Sequence, residues 1–313
     1  MDNRQSEKLE ALFNALLKHK KADKHELAKL LNCSKNQINN WLKKLNKMGL
    51  IIAESDNFIE MIHSVDVLDL TQIQAHIDAP VFYCLTTPST NQWAQSTKTH
   101  GIYLCEHQST GRGRQSKKWI TPIGQAIAVS INHHLNLPLK ELTGLNIAIA
   151  MAIINTAQQS GIDDLSVKWP NDILKENAKV AGILLEASGN NQSSQVTIGI
   201  GINWSVHQSL LDCIPQKCSN IACESTSRTG FLVLLIKEVE KILNEFTKNK
   251  LKNILPLWNQ VDAFQNKKVK ILQGNEQFTA TYKGISTSGA LKVEINGTNK
   301  TLASGEVSMR KVD

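Results

Sequence analysis

The hydrophobic period of this chain changes twice, and no single sheet or helical bundle accommodates all three regimes. Up to about residue 50 apolar residues recur every three or four positions, as on a helix face. From about Asp66 to Asn259 long helical patterns alternate with strand-like runs, and beyond Val261 short alternating runs are separated by "GN", "SG" and "NG" turns. The 313-residue chain is therefore predicted to be multidomain, with units at 1–65, 66–260 and 261–313.

In the first unit, "SEKLEALFNALLK" aligns Leu9, Leu12, Phe13, Leu16 and Leu17 on one helix face. "KHELAKLL", the turn "NCS" and "KNQINNWLKKLNKMGL" add two helices, with Leu27, Leu30, Leu31, Ile38, Leu42 and Leu45 expected inward. This is a helix-turn-helix pattern, and "LIIAESDNFIEMI" reads as the hairpin that makes it winged. Lys18 to Lys47 contains nine lysines against Asp23 and Glu26, a local excess equal to the +7 of the whole chain. An anionic partner for this segment follows. Ser34 is placed to cap the third helix, whose outward Lys35, Asn36, Gln37, Asn40 and Lys43 suit phosphates and base edges, a DNA-binding surface. The wing carries Glu54, Asp56 and Glu60 and no cation, which opposes phosphate contact.

The middle unit offers strands at "VFYCLT", "IYLCEH", "AIAVSI", "LSVKW", "VAGILLEA" and "QVTIGIGIN", with helices predicted over Leu139–Ser160 and Ser227–Thr247. The tight "KENAK" turn implies antiparallel pairing, hence a mixed α/β sheet with helices on a face. The last unit, with "KVKILQ", "FTATYKGIS", "GALKVEI" and "KTLASGEVSMR", reads as a small β-barrel. The longest apolar run, Leu145 to Ile154, is too short to cross a bilayer, and the N-terminus is no secretory signal, so a cytoplasmic protein with reduced thiols is expected.

Polar chemistry concentrates in five stretches. "STGRGRQSKKW", Ser109 to Trp119, holds four cations, two glycines and no acid. Gly111 and Gly113 allow a close backbone approach, and Arg112 and Arg114 offer planar donors to carboxylate or phosphate. Mutual repulsion should keep this loop mobile until an anion arrives. "PSTNQWA" sets Ser89, Thr90 and Asn91 between a strand and a helix; "VKWPNDIL" and "AKVAGILLE" supply Lys168, Asn171, Asp172 and Lys179; "GIGIN" ends on Asn203.

In that order and spacing, "STNQ", "GRGR" followed by tryptophan, "KWPND", "KVAGIL" and "GIGIN" resemble the biotin protein ligases, in particular the longer bacterial type that doubles as the biotin operon repressor. The resemblance runs from the helix-turn-helix to the C-terminal strands, and lipoate ligases are the weaker relative. It implies a biotin/lipoate ligase-like catalytic domain and an SH3-like barrel. It also implies ATP and biotin as substrates, biotinyl-5′-AMP as intermediate and Mg²⁺. Residue by residue, Ser89, Thr90, Asn91, Gln108, Arg112, Gly113, Arg114 and Lys179 match biotin-contacting positions, with Arg112 and Lys179 catalytic. Arg114, Trp119, Asn171 and Asn203 match the nucleotide side, Trp119 packing on adenine and Asp172 lying near the metal. The implied partners are the biotin carboxyl carrier protein of acetyl-CoA carboxylase, operator DNA of biotin-synthesis genes, and a second copy, the homodimer pairing edge strands of the central sheet. Departures are Pro88 where many relatives have an acid, Gln115 and Ser116 in place of a basic or glycine-rich continuation, and the acidic wing.

Other signals point nowhere strong. Cys213, Cys218 and Cys223 lack a usual zinc spacing, and His133 and His134 face opposite sides of a strand. "GIGIN" opens no helix as a dinucleotide fingerprint would, and no "GK[ST]" phosphate loop occurs.

Overall fold

The computed structural model describes residues 3–274, 276–303 and 307–311. The first unit runs α1 (Asn3–Lys18), β1 (Lys21–Asp23), α2 (Lys24–Leu30), α3 (Lys35–Lys47), β2 (Ile52–Glu54) and β3 (Phe58–Met61), its strands ordered β1-β3-β2. Leu9, Leu12, Phe13, Leu16, Leu27, Ile38, Leu42 and Leu45 are buried together, as the helical spacing requires. Leu30, expected inward, is 71% exposed. Helix α2 ends at this residue, and Leu27 and Leu31 take the inward stripe. The acidic β2–β3 hairpin is also less bare than its sequence suggests: Lys24, itself buried, lies 2.6 Å from Glu54, and Lys35 donates to Asn57 at the hairpin tip at 3.2 Å.

This core is completed from outside the unit, by Leu85 and Ile123. The Ile123 N–H donates to the Met48 carbonyl at 2.8 Å, and the Gln125 amide donates to the Gly49 carbonyl at 2.7 Å. Gly49, at φ +93°, has no room for a side chain because Pro122 lies where its Cβ would be.

The central unit contains α4 (Leu70–His76), β4 (Val81–Thr87), α5 (Thr90–Thr97), β5 (Gly101–Gln108), β6 (Ala126–Leu135), α6 (Leu145–Gln159), β7 (Leu165–Lys168), β8 (Asp172–Lys175), β9 (Ala178–Gly189), β10 (Ser194–Asn203), α7 (Gln208–Leu211), α8 (Arg228–Asn249) and α9 (Leu255–Val261). Its seven strands are ordered β4-β5-β6-β10-β9-β8-β7, parallel only at β4–β5, so the sheet is mixed as expected. The "KENAK" turn is tight, with Glu176 and Asn177 both left-handed. The helix predicted over Leu139–Ser160 is instead a short 3₁₀ turn, Leu139–Leu142, and α6, separated at Gly144, whose φ of +89° no continuing helix tolerates. Isoleucines 198, 200 and 202 face the apolar core that includes α6 and α8, leaving glycines 199 and 201 on the opposite face.

A fully buried ion pair ties the layers together. Arg228 at the start of α8 donates to both oxygens of Glu106 on β5, at 2.7 and 2.6 Å, and to the Ala126 carbonyl at 2.7 Å. Glu106 also accepts from the Leu68 N–H.

Beyond Asp262 follow β11 (Lys268–Gln273), β12 (Glu276–Ile285), β13 (Leu291–Ile295), β14 (Thr298–Leu302) and β15 (Val307–Lys311), an antiparallel sheet ordered β14-β13-β12-β11-β15. Its apolar side joins the central core, with the Trp169 indole N–H donating to the Gly289 carbonyl at 3.0 Å. No described helix is long and apolar enough to cross a membrane.

Candidate active site

The floor of the site is the glycine face of β10. A Cβ on Gly199 would overlap the Asn91 amide, and one on Gly201 would overlap the Trp119 indole. The two glycines of "GIGIN" thus make room for two side chains arriving from α5 and from the cationic loop. The Trp119 Nε1 is buried with no hydrogen-bond partner.

Ser89 caps α5, accepting from the Gln92 N–H at 3.5 Å, and fixes the turn that carries Thr90 and Asn91. Gln108 accepts from the Thr90 N–H at 2.9 Å and donates to Thr121 at 3.0 Å, so its amide has one orientation. Asn91 donates to Glu186 at 2.8 Å and to the Leu184 carbonyl at 3.2 Å. Beneath both lies Ser130 of β6, fully buried, with its hydroxyl 2.7 Å from Thr90 Oγ1 and 2.5 Å from Asn91 Oδ1. Ser130 and Glu186 lie outside the motifs. Ser130 pairs with Gly199 in the sheet register, a relation between positions 69 residues apart that no local pattern reveals.

The cationic loop is held by backbone hydrogen bonds and one ion pair. Gly113 N–H donates to the Lys117 carbonyl at 2.7 Å and Trp119 N–H to the Gly111 carbonyl at 2.9 Å, and Arg112 pairs with Glu186 at 3.0 Å. The acid missing from the loop's own sequence comes from β9. Gln115 and Ser116 both occupy the left-handed region, at φ +54° and +55°, a strained conformation for side-chain-bearing residues. On the adjoining strand, His107 is hydrogen-bonded to the Thr86 hydroxyl at 2.9 Å, and burial lowers its pKa to about 4.

Lys179 reaches the same face through a β-bulge. The β8–β9 register slips between Ile173 and Leu174, so Val180 is skipped and Lys179 lands beside Gly182. Its ammonium lies 2.5 Å from Asp172 and 5.5 Å from the Trp119 ring centroid. Lys168 approaches Asp172 at 3.8 Å; burial lowers its pKa, Asp172 opposes the shift, and Lys179, Lys117 and Arg310 add to it. Asn171 donates to the Ile183 carbonyl at 2.7 Å and accepts from Arg114 at 3.5 Å. Asn203 is buried, donating to the Ser219 carbonyl at 3.1 Å and the Lys179 carbonyl at 3.4 Å, which ties the end of β10 to the strand of Lys179. As a seat for Mg²⁺, Asp172 fits poorly: both its oxygens face ammonium groups, and among the described residues no group of three His, Cys, Asp or Glu could hold a metal.

One face therefore collects Ser89, Thr90, Asn91 and Gln108 at one end and Lys168, Asn171, Asp172 and Lys179 at the other. Arg112, Arg114 and Trp119 lie between them. This can hold a polar, anionic molecule along the glycine floor and bring a second anion to its charged end.

Residues 81–203 match the model of the Biotin/lipoate A/B protein ligase family, and residues 265–310 that of the Biotin protein ligase C terminal domain. The chain is similar to the Bifunctional ligase/repressor BirA of Escherichia coli (strain K12), 28% identical over 297 residues covering 92% of each protein. It is also similar to that of Bacillus subtilis (strain 168), 27% identical over 78% of this chain and 72% of that protein. The solved biotin protein ligase from Aquifex aeolicus in complex with biotin and ATP shares the fold, with a TM-score of 0.64 and 24% identity over 74% of this chain and 99% of that one. These matches, spread over the central and C-terminal parts of the chain and nearly the full length of the Escherichia coli relative, support a bacterial biotin protein ligase similar to the bifunctional ligase/repressors.

Proposed function

We infer that this protein is a biotin–[acetyl-CoA-carboxylase] ligase, joining biotin to ATP as biotinyl-5′-AMP and passing the biotinyl group to a lysine of biotin carboxyl carrier protein. The observation that carries this is the site's division into a hydrogen-bonding end around Asn91 and a cationic end around Lys179, bridged by the glycine floor. Ser89, Thr90, Asn91 and Gln108 orient biotin. Its carboxylate must approach the α-phosphate of ATP, and two anions meet only where cations stand beside them. Arg112 and Lys179 supply that charge. As the carboxylate oxygen bonds to phosphorus and pyrophosphate departs, Lys179 stabilises the added negative charge. Gly113 lets the loop cover the anhydride and exclude water, while Arg114, Trp119, Asn171 and Asn203 hold the nucleotide side. Mg²⁺ would arrive with the nucleotide phosphates rather than in a protein cage.

Incubation with ATP, Mg²⁺, biotin and a carrier domain should label the carrier and release pyrophosphate in a biotin-dependent way. Release driven by lipoate instead of biotin, in direct competition, would move the assignment to the lipoate ligases.

The second role, repression of biotin-synthesis genes, is favoured by the arrangement of α2, α3 and the β2–β3 hairpin, which we read as a winged helix-turn-helix. Ser34 and Gln37 form a reciprocal capping box at the start of α3, so they position the helix, while Asn36, Asn40 and Lys43 remain exposed for a groove. Lys24 neutralises Glu54, easing the repulsion expected of the wing. We further read the C-terminal sheet as an SH3-like barrel, the units as 1–65, 66–260 and 261–313, and the active species as a cytoplasmic homodimer. Strand β4, at one end of the central sheet, offers an edge for pairing. A gel shift on operator DNA with and without biotinyl-AMP tests the repressor role, and sedimentation tests the dimer.

A further inference from the structure

Ser130 is fully buried on β6, where the sheet register sets it opposite Gly199 and its hydroxyl meets the first turn of α5. That hydroxyl touches two oxygens, Asn91 Oδ1 at 2.5 Å and Thr90 Oγ1 at 2.7 Å, and it has one proton to give. The surroundings decide where the proton goes. The Asn91 amide turns its nitrogen to the Leu184 carbonyl and to a Glu186 carboxylate oxygen, at 3.2 and 2.8 Å, so the end facing Ser130 is the carbonyl oxygen, which only accepts. Ser130 therefore donates to Asn91 and accepts from Thr90. Thr90 also lies 3.2 Å from Gln108 Oε1, and that oxygen too only accepts, the Gln108 nitrogen being turned to Thr121. Either way the Thr90 proton is spent inside the protein, and its hydroxyl offers a ligand a lone pair. The row Thr90, Ser130, Asn91, Glu186 ends on a carboxylate, and each donation along it makes the next oxygen a stronger acceptor.

We propose that Ser130 is a specificity-determining residue: it fixes the Thr90 hydroxyl as a hydrogen-bond acceptor, so that this end of the site takes a ligand ring that carries an N–H donor and disfavours a ring that carries none. This rests on biotin being the substrate. Biotin's ring is a cyclic urea with two N–H groups, whereas the dithiolane ring of lipoate has no donor. Without Ser130, Thr90 keeps the longer contact to Gln108, whose oxygen already accepts from the Thr90 N–H at 2.9 Å. The hydroxyl is then free to turn, and it accepts less strongly. Ser130 thus acts through Thr90, as a positioning residue.

The test is calorimetric binding, to the full-length protein, of biotin and of its two cyclic carbamate analogues, in each of which one ring N–H is replaced by oxygen. Ser130→Ala should weaken biotin by about five- to tenfold, as expected for the loss of one neutral hydrogen bond. The carbamate that keeps the donor facing Thr90 should weaken by the same factor. The carbamate that lacks it should bind the wild type and Ser130→Ala alike. In a Thr90→Val background, Ser130→Ala should change biotin affinity no further. Unchanged biotin affinity in Ser130→Ala overturns the proposal. Equal weakening of biotin and both carbamates overturns it too, as does a further loss in the Thr90→Val background, since either makes Ser130 only a support for Asn91. A wild-type protein that binds no biotin overturns the biotin reading itself, and this proposal with it.

Discussion

Asn91 and Gly199 share one volume: the amide of the first occupies the space where a side chain on the second would stand. The same relation holds for Trp119 and Gly201 two residues along β10.

Gly199→Ala should therefore push Asn91 off Ser130 and Glu186 and cost about tenfold or more in biotin affinity, the equivalent of one or two hydrogen bonds at about 1 kcal/mol each. Gly201→Ala should instead displace Trp119 and weaken ATP. Separate calorimetric titrations with biotin and with ATP distinguish the two, and a loss of both ligands in both variants would count against this division of the floor.

Lys179→Ala should slow adenylate formation by about two to three orders of magnitude, the usual effect of removing one electrostatic donor to a developing charge. Transfer from presupplied biotinyl-AMP should suffer less, because there the acceptor lysine attacks and the phosphate leaves. Pyrophosphate release and carrier labelling, measured separately, check the asymmetry.

Glu106→Gln should destabilise the fold by about 3–5 kcal/mol, since it leaves the Arg228 guanidinium buried without its counter-ion. Combining it with Arg228→Met should recover much of that loss. Urea denaturation of the single and double variants reads the difference.

Acid should weaken the protein through His107. The unfolded imidazole takes up a proton near 6.5 but the buried one only near 4, so this contribution to stability is complete above pH 6.5 and is lost as pH falls toward 4. The loss is at most about 3 kcal/mol. His107→Gln should show a flatter urea midpoint between pH 7 and 5 than the wild type.

The motifs of the site were legible because each is short and sits where a strand hands over to a turn or helix. Backbone geometry there is set locally, as the Ser89 cap and the "KENAK" turn show. Ser130, Glu186 and the Glu106–Arg228 pair were not legible, because their roles arise only from sheet register and layer packing across 39 to 122 residues. The acid that pairs with Arg112 was equally hidden, because it lies 74 residues downstream. Leu30 misled for the opposite reason: its spacing fits an inward stripe, but α2 stops before that stripe can use it. At Gly144 a single left-handed residue overruled an otherwise continuous helical pattern.

On DNA, Lys43→Ala should lower operator affinity at every sequence alike and reduce the salt slope of binding by about one unit, the signature of a single phosphate contact. Lys35→Ala should do this less cleanly, because its ammonium also steadies the wing through Asn57. Gel shifts across a salt series separate the two.

The N-terminal unit is not a bead that can be unstrung. Leu85 and Ile123 finish its apolar centre, and Ile123 stands only four residues past Trp119. A lineage that discarded this unit would have to repaint the bared patch with polar side chains, and one that acquired it would need the matching socket first. The ancestry of the N-terminal unit should therefore be readable on the central one, in whether positions 85 and 123 are oily or wet.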